Sequence, residues 1–115
     1  ADLVLALFPA AEPERSDLVA VDGSGRILEV VVKRPGSALR RTWMAAVWSP
    51  SFTSHLHREL ADPRAAAGPE IQLGHLVQSA LEAGLVGRAI DLPSGRALDI
   101  GTPEALAYAR SIGGR

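Results

Sequence analysis

Leu3-Val4-Leu5-Ala6-Leu7-Phe8 is an unbroken apolar run of strand length almost at the start of the chain. Such a run reads as a strand buried on both faces, as in the middle of an α/β sheet. Working outward, Pro9–Asp17 is polar and carries two prolines, which makes it a loop. Leu18–Val21 is a short strand, Asp22-Gly23-Ser24-Gly25 has strong turn chemistry, and Arg26–Lys33 returns rich in β-branched residues, so the three form a hairpin. Arg34-Pro35-Gly36-Ser37 breaks the pattern, and Thr42–Trp48 is a third apolar stretch of strand length.

Helical spacing takes over next. Ser49-Pro50 suits an N-cap and a first helical position, Phe52, Leu56 and Leu60 recur every four residues, and Pro63 stops the pattern. A loop of small residues, Pro63–Pro69, leads to the best helix, in which Leu73, Leu76, Val77, Ala80 and Leu81 form one apolar face and Gly84 stands at the C-terminus. Leu85–Leu92 is a further strand, Ser94-Gly95 a turn and Arg96–Ile100 a short extended piece. Thr102-Pro103-Glu104 opens a last helix reaching about Ile112. The expected fold is α/β, one mixed β-sheet with flanking helices, in a single domain without repeats.

Bulk properties narrow the function. The chain has 115 residues, 47% hydrophobic and 22% charged, and its net charge of −1 offers no electrostatic footprint for nucleic acid. No apolar stretch approaches the ~20 residues of a membrane span, and the N-terminus lacks the pattern of a signal peptide. With no cysteine there is no disulfide, thiolate metal site or cysteine nucleophile, which fits a soluble, cytoplasmic protein. His55 and His57 are two apart and point to different faces of a helix, so they cannot share a metal, and His75 begins a helix with no partner in sight.

Three segments carry chemistry. In Leu98-Asp99-Ile100-Gly101-Thr102-Pro103-Glu104-Ala105-Leu106 a carboxylate at a strand end and a glycine precede a capped helix, a sensible ligand corner, although Asp99 taken alone reads rather as a residue that merely caps or turns. Gly68-Pro69-Glu70-Ile71-Gln72-Leu73 puts an acceptor-only carboxylate at the opening of a helix, where it can receive sugar hydroxyls or simply complement the helix N-terminus. Val32-Lys33-Arg34-Pro35 places two cations at the hairpin end, either solvated or gripping an anion.

In this order, from Ala1 to about Arg110, the segments resemble those of the sugar-1-phosphate nucleotidyltransferases, the nucleotide-sugar pyrophosphorylases. The resemblance implies the second half of a Rossmann-like nucleotidyltransferase domain. In that family the aspartate of aspartate-x-glycine-threonine-proline helps hold the catalytic magnesium, which points to Asp99 and Mg2+. The glutamate of glycine-glutamate-isoleucine-glutamine-leucine binds sugar hydroxyls, which points to Glu70. Here Gly74-His75 replaces the family's threonine-aspartate. The lysine of glutamate-lysine-proline contacts the sugar phosphate, and the register leaves Lys33 and Arg34 open, Lys33 being favoured because a flexible point-charge ammonium suits the role. Ala46 lies near the glycine of the strand beneath the sugar. Trp43 or Trp48 could stack on a sugar ring, although tryptophans at strand spacing are more often core.

The family's glycine-rich phosphate loop and its lysine have no counterpart, since Gly23-x-Gly25 lies in a hairpin and Gly113-Gly114 at the end. Residues 1–115 are thus expected to form the C-terminal, sugar-phosphate-binding part, with the nucleotide-binding half absent and the chain inactive alone. The parent reaction joins a nucleoside triphosphate and a sugar-1-phosphate into a nucleotide sugar and pyrophosphate. The alternative is a non-catalytic module that binds a sugar phosphate or a protein. Leu3–Phe8 is expected to gain parallel neighbours from the other half, and in this chain alone to be an exposed edge or to be covered by another copy in a homo-oligomer.

Overall fold

The opening run is a strand, β1 (Leu3–Pro9), in a computed structural model that describes residues 1–64, 68–96 and 98–113. The other strands are β2 (Asp17–Val21), β3 (Ile27–Val32), β4 (Arg41–Trp48) and β5 (Gly87–Asp91). The helices are α1 (Pro50–Ala61), α2 (Leu73–Glu82) and α3 (Pro103–Gly113), with a 3-10 turn at Pro13–Arg15. The strands form one mixed sheet in the order β3-β2-β4-β1-β5, in which β1 runs antiparallel to β4 and parallel to β5. Among the described residues no helix is long and apolar enough to cross a membrane.

The position of β1 corrects two expectations. It is not an edge, because β4 and β5 of this same chain flank it. Nor are both faces fully buried: Leu3, Leu5 and Leu7 are at most 1% exposed, whereas Val4, Ala6 and Phe8 are only half-buried. The cause is that both α1 and α2 pack on the same face. Phe52, Val77 and Ala80 meet Leu3, Leu5, Leu7, Val19, Ile27 and Val30 in one core. On the reverse face Val4 lies opposite Val47 and Ala6 opposite Ile90, which are 74% and 57% exposed.

Local chemistry explains the turns. Asp22 Oδ1 accepts from the amides of Ser24 (2.8 Å) and Arg26 (3.0 Å) and from Ser24 Oγ (2.7 Å), closing the β2–β3 hairpin. Helix α2 ends in a Schellman motif: Gly84 adopts φ 96°, its N–H donates to Leu81 O (3.0 Å), and Leu85 N–H donates to Ala80 O (3.0 Å). Thr102 Oγ1 accepts from Ala105 N–H at 3.1 Å, so α3 is capped as its sequence predicts. Ser49 instead turns its hydroxyl to Asp2 O and Ser51, and makes no side-chain cap. Leu60 is exposed and His55 takes the buried place on α1, its Nε2 2.7 Å from Ser79 Oγ. Around residues 96–100 no strand forms among the described residues, and Ala97 within that stretch, like residues 65–67 of the loop before α2 and Gly114, lies outside them.

The sheet curls, which decides which edges stay open. Gly25 O accepts from Ala89 N–H (2.8 Å) and Arg26 bridges Arg88, so the hairpin tip reaches the outer edge of β5. Gln78 Oε1 on α2 accepts from Val30 N–H (2.8 Å), which ties β3 to that helix. Strand β4 pairs with β2 only at Leu18–Thr42, so among the described residues Met44–Trp48 has no strand neighbour on the side away from β1. Met44 is the extra residue of a bulge there, since Ala6 faces Ala45 and Leu7 faces Trp43.

Candidate functional site

Strand ends and helix starts concentrate the candidate chemistry where β2, β3 and α2 meet. Asp17 opens β2 opposite Val32, and Lys33 follows β3 in a left-handed conformation (φ 45°). Left-handed backbone is uncommon for a residue with a side chain and redirects it at the hairpin end. The Asp17 carboxylate points at the first turn of α2. A Cβ on Gly74 would lie 2.5 Å from its Oδ2 and 2.8 Å from Val32 Cγ2, so only glycine fits there without displacement. Burial raises the Asp17 pKa above its ordinary 3.8, while the charges of Lys33 and His75 pull it back in part. Asp17 Oδ1 is buried and accepts no hydrogen bond from the described residues.

His75 connects this cluster to a groove of about 550 Å³ between α1 and α2. Glu70 lines the same groove, as do Glu59, Asp62, Arg64 and Ser79, over an apolar floor that includes Leu76. The Arg64 guanidinium donates to both oxygens of Asp62 (2.7–3.2 Å) and holds that carboxyl down at about 2. Glu70 precedes α2 rather than opening it, because the helix begins at Leu73 with Gln72 as its cap residue. Ser79 Oγ donates to Leu76 O (3.0 Å), which leaves His55 Nε2 to donate to the hydroxyl, so this buried histidine is engaged in packing.

The remaining predicted residues fall elsewhere. Arg34 lines a second cavity, of about 430 Å³, with Leu18 and Arg40. Since Leu18 alternates with Asp17 along β2, that cavity lies on the sheet face opposite the groove. Ala46 pairs with Leu5 and packs against the core, and it lines neither cavity. Trp43 also packs against the core, and Trp48 stacks edge-on against Phe52 at 5.2 Å, so both tryptophans serve packing. Asp99 is exposed, its Oδ1 accepting from Gly101 N–H at 2.9 Å. Among the described residues no group of three His, Asp or Glu side chains lies together that could hold a metal ion.

Asp17 was not singled out from the sequence, and Gly74 was noted only as a departure from the family's threonine-aspartate. The available signal was Gly74, a glycine inside an otherwise unbroken helical pattern, where a packing reason is the usual cause. An aspartate that opens a strand carries no such mark.

The fold has solved counterparts. An inositol-1-phosphate CTP transferase from T. maritima superimposes with a TM-score of 0.69 at 19% identity, covering 90% of this chain and 40% of that one. A structure described as a glucose-1-phosphate thymidylyltransferase from Bacillus anthracis, in complex with sucrose, gives 0.75 at 20% identity over 96% and 43%. A nucleoside-diphosphate-sugar pyrophosphorylase from Vibrio cholerae RC9 gives 0.70 at 16% identity over 94% and 46%. No family model and no curated protein matches the sequence. The likeness is therefore one of fold: the mixed sheet and its helices match part of each of these structures. The chain spans less than half the length of these structures.

Proposed function

We propose that this chain is the C-terminal, sugar-phosphate-binding half of a nucleotidyltransferase that makes a nucleotide sugar from a nucleoside triphosphate and a sugar-1-phosphate. The observation that carries the reading is the convergence at the start of α2. The charges of Lys33, from the hairpin segment, and of His75 both act on Asp17 there, and His75 lines the groove that Glu70 also lines. Lys33 is favoured over Arg34 as the phosphate contact because its charge acts on Asp17 beside His75, whereas Arg34 lines the other cavity.

In the reaction a sugar-1-phosphate oxygen attacks the α-phosphorus of the triphosphate. The new P–O bond forms as the bond to the pyrophosphate leaving group breaks. Two anions must approach, so charge neutralisation and alignment dominate the barrier. The Lys33 ammonium offsets the sugar phosphate charge, and the Glu70 carboxylate accepts hydrogen bonds from ring hydroxyls and fixes the sugar's orientation. Asp99 is the one carboxylate this chain would contribute to magnesium, the ion whose charge would offset that of the phosphates. The unpaired side of β4 and the exposed reverse face around Val47 and Ile90 form the seam to which the nucleotide-binding half would join.

Titration of the chain with glucose-1-phosphate, followed by amide chemical shifts, tests the reading. Shifts should centre on Lys33, Glu70 and His75. Glu70→Gln should weaken binding by about tenfold to a hundredfold, as charge-assisted hydrogen bonds contribute ~1.5–3 kcal/mol each, and Lys33→Ala should do likewise. Binding that ignores both substitutions would overturn the assignment and leave a protein-interaction module as the better account.

A further inference from the structure

Asp17 is costly where it stands. Its Oδ1 is buried without a donor among the described residues, whereas Asp2, Asp22 and Asp62 each accept from a backbone amide at 2.7–3.0 Å. A desolvated carboxylate oxygen left unpaired destabilises a fold. Asp17 does not serve as the cap of α2 either, since Gln72 holds that position and the helix start has no side-chain cap. Gly74 nevertheless makes room for it, because a Cβ there would lie 2.5 Å from Oδ2.

Lys33 is unusual in turn. Among the described residues it is the one residue other than glycine with left-handed backbone, at φ 45°. Such conformations cost energy and persist only where the surroundings impose them. Asp17 faces Val32 across the hairpin, so regular alternation would send Lys33 to the other side of the sheet, that of the cavity lined by Arg34. The left-handed turn breaks that alternation, and the charges of Lys33 and His75 both act on Asp17. Among the described residues neither cation forms a contact ion pair with it. A contact pair would occupy the ammonium, while attraction at longer range orients it and leaves its three donors free.

We propose that Asp17 is a positioning residue, whose carboxylate holds the Lys33 ammonium on the side of the sheet where α2 begins, ready for the phosphate of the substrate. This rests on the sugar-phosphate reading given above. An ammonium already held in place loses less freedom when it meets an anion, which gives the unpaired carboxylate a use that packing alone does not.

The test compares the chain with its Asp17→Asn variant at a temperature where both are folded. Without ligand, the two Lys33 ε-methylene protons should have distinct resonances in the parent and merge in Asp17→Asn. With glucose-1-phosphate, Asp17→Asn should bind about twofold to fivefold more weakly. The sign is diagnostic, because by charge alone the removal of a carboxylate beside an anion site tightens binding. In a Lys33→Ala background the same substitution should no longer weaken binding, since Asp17 acts through the lysine. Equal or tighter binding by Asp17→Asn, or the same loss with and without Lys33, would overturn the proposal and leave the sugar-phosphate reading standing. Lys33 protons indifferent to Asp17→Asn would overturn it whether or not the sugar phosphate binds. A parent chain without any glucose-1-phosphate shifts would remove both.

Discussion

Gly74 shows how a single missing methyl can hold a cluster together. Alanine there would gain about 1 kcal/mol of helix propensity. The added Cβ would also press on Asp17 Oδ2 and on Val32 Cγ2. The carboxylate can swing aside, but the β-branched valine has little rotamer freedom, and overpacking of this kind costs about 1–3 kcal/mol. Gly74→Ala should therefore destabilise the chain, and less so in an Asp17→Ala background. A denaturant double-mutant cycle should return a coupling of at least about 0.5 kcal/mol, and strict additivity would mean the two residues do not compete for that space. Asp17 supplies a pH signature as well. Its folded pKa is raised, mainly by burial, so the unfolded chain ionises first and stability falls as pH rises from 3.8 through the folded value. Asp17→Asn removes that loss. Its melting temperature should exceed the parent's near neutrality, with the gap closing below pH 3.8. A less stable Asn variant at neutral pH would show that Lys33 and His75 repay the desolvation.

At the level of elements, what was legible in the sequence was whatever chemistry within a few residues determines. The hairpin, the Gly84 stop of α2 and the Thr102 cap of α3 all rest on such local groups, and their outlines were plain from residue types. The neighbours of β1 were not legible, because its pairing with β4 and β5 joins segments tens of residues apart that no periodicity links. Arg96–Ile100 has extended composition, yet among its described residues no strand forms. The site divided in the same way. Candidate residues could be named from motifs, but that Arg34 lines the second cavity while the Lys33 charge acts on Asp17 depends on how the hairpin end folds. Helix α3 turns this contrast into a measurement. It buries no residue fully, so its cap is the main local support. Thr102→Ala should remove about 1 kcal/mol from the helix. Hydrogen exchange within α3 should accelerate while the main unfolding transition stays put, and a lowered global melting temperature would show that α3 is packed into the cooperative core.

For the whole molecule, the curled sheet accounts for its own edges except along β4. The hairpin tip bonds to β5 and α2 bonds to β3, but among the described residues Met44–Trp48 offers an unpaired side next to an exposed apolar face. Open strands of this kind recruit a partner strand. That edge, rather than β1, is where self-association or completion of the sheet is expected. Because the solved structures of this fold are more than twice as long, the proposed partner is the nucleotide-binding half. The chain alone should then release no pyrophosphate from any nucleoside triphosphate and sugar-1-phosphate. Supplying the other half, fused or in trans, should start the reaction. Val47 is 74% exposed here and lies outside the groove, so Val47→Lys should change the stability of the chain itself by no more than about 0.5 kcal/mol. A lysine buried in the seam without a partner is costly, so the same substitution should cut the activity recovered in trans at limiting concentrations of the other half, and excess should restore it. Pyrophosphate release measured against the concentration of the added half reads this directly. Turnover by the unaided chain would sink the division of labour between the halves. Recovery indifferent to Val47→Lys would move the seam away from β4.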